Sequence, residues 1–318
     1  MLAQLPGRKF FSFLLFLLIS LCSAGQKFVI GVIPDTQHEV TYKPEMFMKQ
    51  MEWLAAKHDS LNMPFVLHVG DIVDLNNDKE YSIVSDGFAL LDKIKVPYAI
   101  CPGNHDNASV RADTSLAAPG DRSVNLRITD KFNSYFPVKR YSNQKGRFEK
   151  NKSDNAYYVF KAGGVKWLVV TLEFCARHEA VEWANLIIQK FPKHNVIILT
   201  HSHLTARGKL EEEDSEGDLS PKEIFDTMIV KHPNIRLVLC GHTGTSTWRT
   251  DSGTHGNTIY QILQDYQNED NGGGYIRLLE IDPSEGTING KMYSPIYNKI
   301  KDDYSKIAIS GVEFVGND

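Results

Sequence analysis

From residue 26 onward, short runs of β-branched and apolar residues alternate with longer stretches whose apolar positions recur every three or four residues. Residues 28–33 and 65–69 read as strands. Between them, Met46, Phe47, Met51, Trp53 and Leu54 fall mainly on one face of a helix over residues 45–58. A helix over 81–94 and a strand over 97–101 follow. Residues 156–160 and 165–171 flank Gly163-Gly164, which is a hairpin signal. The alternation resumes with a helix near 179–190, a strand over 196–200, a helix opening at Ser220-Pro221 and a strand over 235–240; proline at a first helical position is a start signal. Three tail segments, 258–263, 275–281 and 287–293, read as antiparallel strands. Strands alternating with helices indicate βαβ crossovers and a mainly parallel sheet. The expected class is α/β, with two sheets and helices outside them.

The N terminus departs from this pattern. Arg8-Lys9 precede the apolar run 10–21, and the small residues Ser23-Ala24-Gly25 follow, which is the layout of a secretory signal peptide. The run is too short for a bilayer of about 30 Å, which takes roughly 20 apolar residues. The expected organisation is a signal peptide over 1–25 and one domain over 26–318, with a secreted or extracytoplasmic location and no transmembrane helix in the mature chain. Taking Arg8 and Lys9 from 35 basic residues against 39 acidic ones leaves a formal charge of -6. Such a balance provides no basic field, which excludes a stable nucleic-acid binder held by counterion release.

Once Cys22 leaves with the signal, Cys101, Cys175 and Cys240 remain, too few for a disulfide framework. Two of them end apolar runs, and burial as small hydrophobes is the favoured reading over one disulfide and a free thiol. The sequons Asn107-Ala-Ser109 and Asn151-Lys-Ser153 lie in polar stretches and read as glycan acceptors where the host glycosylates.

Chemistry collects at the strand ends. Asp35 and Gln37 follow the first strand, Gly70-Asp71-Ile72-Val73-Asp74 the second, and Gly103-Asn104-His105-Asp106 the third. His201 and Gly241-His242 follow the strands ending at 200 and 240. In open α/β sheets the carboxyl ends of the strands form the crevice where ligands bind. A lone Asp or His there is most often a turn former, but turns do not demand five tips with this mix of residue types. Carboxylate and amide oxygens mixed with imidazoles suit Mn, Zn or Fe rather than a thiolate-seeking metal.

This order of motifs resembles the calcineurin-like metallophosphoesterase superfamily over nearly the whole mature chain. Pro34-Asp35-Thr36-Gln37 and Leu263-Gln264-Asp265-Tyr266-Gln267 further resemble a secreted branch of it. The resemblance implies a four-layer α/β/β/α fold, two mixed sheets sandwiched between helices. It implies a hydrolase of phosphodiesters or phosphomonoesters, with a small-molecule, lipid or nucleotide substrate. Two divalent ions, Mn, Zn or Fe, would clamp the phosphoryl group, and a metal-bound hydroxide would attack in line. By the same resemblance Asp71 bridges the ions, Asp35 and Gln37 hold the first, and Asn104, His201 and His242 hold the second. His105 would be the general acid toward the leaving oxygen, with Asp106 orienting its ring. Asp74 is expected as a cap or supporting residue, and its position argues against purple acid phosphatases, which carry a Tyr ligand there.

Two positions depart from the family pattern. Gln37 stands where the first motif usually has His, and Gly244 where the last motif has its second His. Both changes fall on the first ion, which is expected to bind more weakly unless His38, His255 or Gln264 replaces the missing ligand. The alternative function is a weak or inactive binding module that keeps the fold with an impaired first site.

Overall fold

The structure is a computed structural model that describes residues 25–303 and 305–316. The signal-peptide segment therefore lies outside the described residues, apart from Gly25. Strand β1 (Phe28–Ile33) is buried along its whole length. Two helices, α1 (Gln37–Tyr42) and α2 (Pro44–Lys57), carry the chain to β2 (Phe65–His68), and α3 (Asp78–Ile94) carries it to β3 (Tyr98–Ile100). Crossovers of this kind make β1, β2 and β3 parallel. Helices α2 and α3 bury Phe47, Met51, Leu54, Val84, Phe88 and Leu91 in the same core as these strands.

A polar stretch with α4 (Arg122–Asn125) and α5 (Asp130–Tyr135) leads to β4 (Gln144–Arg147), at the edge of a second sheet. Strands β5 (Ala156–Ala162) and β6 (Val165–Thr171) form the hairpin. Gly163 and Gly164 turn it with φ of +61° and +80°, the left-handed region that primed two-residue turns require. Helix α6 (His178–Lys190) leads to β7 (Asn195–Leu199), and α7 (Pro221–Thr227) to β8 (Ile235–Cys240). Ser220 and Glu223 form a capping box at the start of α7, with Pro221 in its first turn.

The tail divides between the sheets. Strand β9 (Ser246–Ser252) pairs antiparallel with β10 (Thr258–Gln264), but β10 lies parallel to β8 in the second sheet. Strand β11 (Ile276–Asp282) returns beside β1, and β12 (Thr287–Ser294) pairs with it; β13 (Lys299–Ile300) and β14 (Ile307–Ser310) both pair with β12. The expected antiparallel tail thus holds for β11 with β12 and for β10 against β9, while the parallel pairing of β10 with β8 adds a neighbour the expectation did not include. The first sheet runs β13-β12-β11-β1-β2-β3 with β14 on β12, and the second runs β4-β5-β6-β7-β8-β10-β9.

The two sheets face each other, as alternation along β6 shows. Trp167 and Val169 pack between the sheets, while Leu168 and Val170 face Val181, Ile188 and Ile224 of α6 and α7. Phe28 meets Trp167 edge-on at 5.6 Å, and Phe65 meets Phe160 at 5.0 Å across the same layer. The result is the four-layer α/β/β/α arrangement. Strands covered on both faces read as continuous apolar runs, which is why the strand signals were strong. Among the described residues no helix is long and apolar enough to cross a membrane. Cys101, Cys175 and Cys240 are buried free thiols. Asn107 is buried, its amide donating to Gly103 O and accepting from Ser109 N, so the expected glycan acceptor at this position is corrected.

Candidate metal centre

The segments after β1, β2, β3, β7 and β8 meet at one edge of the sandwich. The start of α1 docks on the turn after β2, where the Thr36 and Gln37 amides donate to Asp71 O. Asp71 has φ of +49°, a strained conformation for a residue with a side chain. Its Oδ1 accepts from the His105 amide at 2.9 Å and its Oδ2 from Gln37 Nε2 at 3.0 Å. A Cβ on Gly103 would lie 2.1 Å from Asp71 Oδ1, so this close approach requires glycine. The same holds on the other side, where a Cβ on Gly241 would lie 1.9 Å from Asp35 Oδ1. The His242 amide donates to Asp35 Oδ2 at 3.0 Å.

The imidazoles of His201 and His242 converge on one point. His201 Nδ1 lies 2.9 Å from the Val69 carbonyl, an acceptor only, so this nitrogen carries the proton and donates. Its Nε2 lies 3.2 Å from each of Asp71 Oδ2, Asn104 Oδ1 and His242 Nδ1. One atom each of Asp71, His201 and His242 fall within 4.8 Å of one another, a spacing a metal ion can bridge. Phe174 packs on both imidazoles, with ring centroids 5.8 Å from His201 and 5.3 Å from His242.

His105 stands beside this cluster, and its ring is held differently from the expectation. Nδ1 donates to the Asp74 carbonyl at 2.9 Å and lies 3.4 Å from Asp74 Oδ1. Asp106 does not reach the ring. Its Oδ1 accepts from the Ile72 and Val73 amides and its Oδ2 from the Gly103 amide, which pins the second motif to the third. The expected orienting role of Asp106 is therefore corrected to Asp74. The reason is direction: the carboxylate of Asp106 turns back under the loop to satisfy three buried N–H groups. Burial, with Asp71 nearby, raises Asp106 to about 7. Burial lowers the His105 pKa, but Asp71, the Asp74 carbonyl and the Asp74 carboxylate outweigh it and leave it raised.

The charges and unmet oxygens fit cations. Burial raises Asp35 well above the ordinary carboxylate range, and Asp265 raises it further. Burial acts the same way on Asp71, yet His201 and His105 hold it well below that range. Burial would lower His201, but Asp71 and Asp35 push it up to about 10. Asp35 Oδ1, Gln37 Oε1 and Gln264 Oε1 are buried with no hydrogen-bond partner. An unsatisfied buried acceptor costs about 1–3 kcal/mol, and a divalent cation with oxygen preference would satisfy all three. The residues present therefore fit metal ions.

The remaining histidines have other work. His203 Nε2 lies 2.7 Å from Gln261 Oε1, and burial lowers the ring to about 4. His68 accepts from the Gly70 amide at Nδ1, so Nε2 donates to Thr36 Oγ1, and the ring props two motifs in its neutral form. His38 Nδ1 lies 2.8 Å from Gln267 O, and His255 is exposed in the turn before β10. A second acidic group, Glu149, Asp154 and Glu173, is already countered: Arg177 contacts Glu149 and Glu173, Arg127 lies 3.5 Å from Glu173, and Thr129 and Asn133 donate to Asp154. Arg127 also donates to Phe174 O and Cys175 O, fixing the segment that carries the Phe174 ring. Asp74, expected as a cap or supporting residue, supports the His105 ring, and Asp265 of the Asp-Tyr-Gln run, to which the sequence assigns no role, is fully buried.

Comparison with known proteins agrees with this geometry. Residues 28–246 match the family model described as calcineurin-like phosphoesterase. The chain is 29% identical over 280 residues to the uncharacterized protein YvnB of Bacillus subtilis, spanning 85% of this chain and 20% of that one. It is 23% identical over 189 residues to the probable glycerophosphodiester phosphodiesterase GpdQ of Arcobacter nitrofigilis, covering 58% of each. It thus spans less than two thirds of either relative. Among solved structures, a dimetal phosphatase from Danio rerio superposes with a TM-score of 0.54 at 12% identity, over 89% of this chain and 98% of that one, a likeness of fold.

Proposed function

The chain belongs to the calcineurin-like phosphoesterase family, and we propose that its strand-tip cluster hydrolyses phosphoesters with two divalent ions. The observation that carries this reading is the meeting of Asp35, Gln37, Asp71, Asn104, His201 and His242, with buried oxygens that lack donors. When bound, such ions neutralise the phosphoryl oxygens and lower the pKa of the attacking water. Asp71, between the two groups of ligands, would serve both ions. Asp35 and Gln37 would hold one, and Asn104, His201 and His242 the other.

His105 supplies the proton. Its ring is fixed through Nδ1 by Asp74, which leaves Nε2 free to face a leaving oxygen, and Asp71 and Asp74 raise its pKa, which favours the protonated ring. Arg122, which donates to Ser215 O and lies 3.9 Å from Glu216, is a candidate cation for the substrate. The relative named as a probable glycerophosphodiester phosphodiesterase makes a small phosphodiester the first substrate to test.

The test is hydrolysis of bis- and mono-nitrophenyl phosphate by metal-free protein with Mn added back. Turnover should require the metal and disappear in Asp71→Asn. His105→Ala should lower kcat by about 10²–10⁴-fold with little change in KM. A folded wild type with no metal-dependent turnover would overturn the proposal and leave a binding module.

A further inference from the structure

The last family motif lacks its second histidine at Gly244, and the structure shows what occupies that corner. Gly244 has φ of +63°, and its amide donates to Asp265 Oδ2 at 2.5 Å. A Cβ added there would lie 2.8 Å from Asn268 Nδ2, so the backbone is drawn against the 265–268 segment. The Asp265 carboxylate also accepts from the Gln267 amide at 2.9 Å, and the Asp265 amide donates to Thr245 O. Asp265 and its neighbour Gln264 are fully buried at the end of β10, alongside the end of β8. Gln264 Nε2 donates to Cys240 O at 2.7 Å, one residue before Gly241, whose backbone abuts Asp35; its Oε1 has no partner.

Asp265 is also the strongest charged neighbour of Asp35, and its charge reaches Asp71 and His201. The Asp265 carboxylate accepts three N–H groups, Oδ1 from the Gln267 backbone and Oδ2 from the Gly244 amide and Gln267 Nε2, which leaves it one lone-pair site, and the neighbouring Gln264 Oε1 has no donor at all.

We propose that Asp265 is the ligand that completes the first metal position, with the Gln264 amide oxygen beside it, making that position all-oxygen while the second carries two imidazoles. This inference rests on the phosphoesterase reading above. It assigns the two positions different metals: oxygen donors favour Mn or Mg, whereas imidazoles favour Zn or Fe.

The experiment uses the metal-free full chain, titrated with Mn(II) and followed by electron paramagnetic resonance, and with Zn(II) by calorimetry. Crystals loaded with both metals are then measured at the Mn and Zn absorption edges. The expected result is Mn coordinated by an Asp265 oxygen and Zn at His201 and His242. In Asp265→Asn the Mn affinity should fall by more than about a hundredfold, beyond the 10–100-fold cost typical of losing an outer partner, while Zn binding at His201 and His242 persists and shows that the variant is folded. A smaller loss, or a wild-type Mn ion with no Asp265 oxygen in contact, would overturn the inference. Should the variant fail to fold, the wild-type edge measurement decides alone. Binding of no ion by the wild type would instead overturn the phosphoesterase reading itself.

Discussion

At the residue scale, Asp74 and Asp106 divide the work around His105. Asp74 presents a carbonyl and a carboxylate to the ring, whereas Asp106 presents its carboxylate to the amides of Ile72, Val73 and Gly103. Substituting them should therefore give different signatures. Asp106→Asn keeps one acceptor but faces a second N–H against a donor, which should cost about 1–3 kcal/mol of stability and act on turnover through weakened metal affinity. Asp74→Asn should leave the unfolding transition nearly unchanged and move the basic limb of the kcat profile to lower pH, because the general acid His105 loses the neighbouring carboxylate that raises its pKa. Chemical denaturation alongside pH–rate profiles separates the two; equal losses of stability in both variants would contradict this division.

At the element scale, the loop from Glu173 to Arg177 places the Phe174 ring over the site histidines. Glu173 is buried, contacts Arg177 at 2.8 Å and lies 3.5 Å from Arg127. Burial alone would raise the Glu173 pKa, but Arg177 and Arg127 hold it below the usual 4.5. A carboxylate held low contributes stability that is present above the unfolded pKa and is lost as pH falls through the folded one. Glu173→Gln should cost about 3 kcal/mol at pH 7, because partly buried Arg127 loses its countercharge and Arg177 keeps only Glu149. The difference from wild type should shrink as the pH falls below 4.5, where Glu173 protonates in the unfolded chain and then in the folded one. Denaturant titrations at pH 7 and pH 3 check this; a pH-independent difference would show that packing rather than charge is responsible. The connections are where a local pattern says least: α1, β4, β9 and β14 carry weak or mixed periodicity, while β1 and β8, covered on both faces, match the expected bounds.

At the scale of the whole molecule, the site joins the edges of both sheets, so metal binding should couple to global stability. Ions that bind the folded chain and not the unfolded one stabilise by about 2.7 kcal/mol at a hundred times Kd. Chelation should therefore lower Tm by several degrees, and saturating Mn should restore it; calorimetry showing identical transitions with and without chelator would contradict ion binding. The sequence by itself determined the order of the main strands and helices, though not α1, α4, α5, β4, β9, β13 or β14, and the donor types at five strand ends, because periodicity and strand-end chemistry are local. Only the tertiary structure decided three further matters. It split the tail between the two sheets, since nothing local to β10 tells that it pairs parallel to β8 as well as antiparallel to β9. It gave His105 to Asp74 rather than to Asp106, because the direction of a carboxylate depends on which buried N–H groups surround it. It also brought Asp265 to the corner that Gly244 leaves without a side chain, through packing of β10 on β8, a contact that spacing along the chain does not encode.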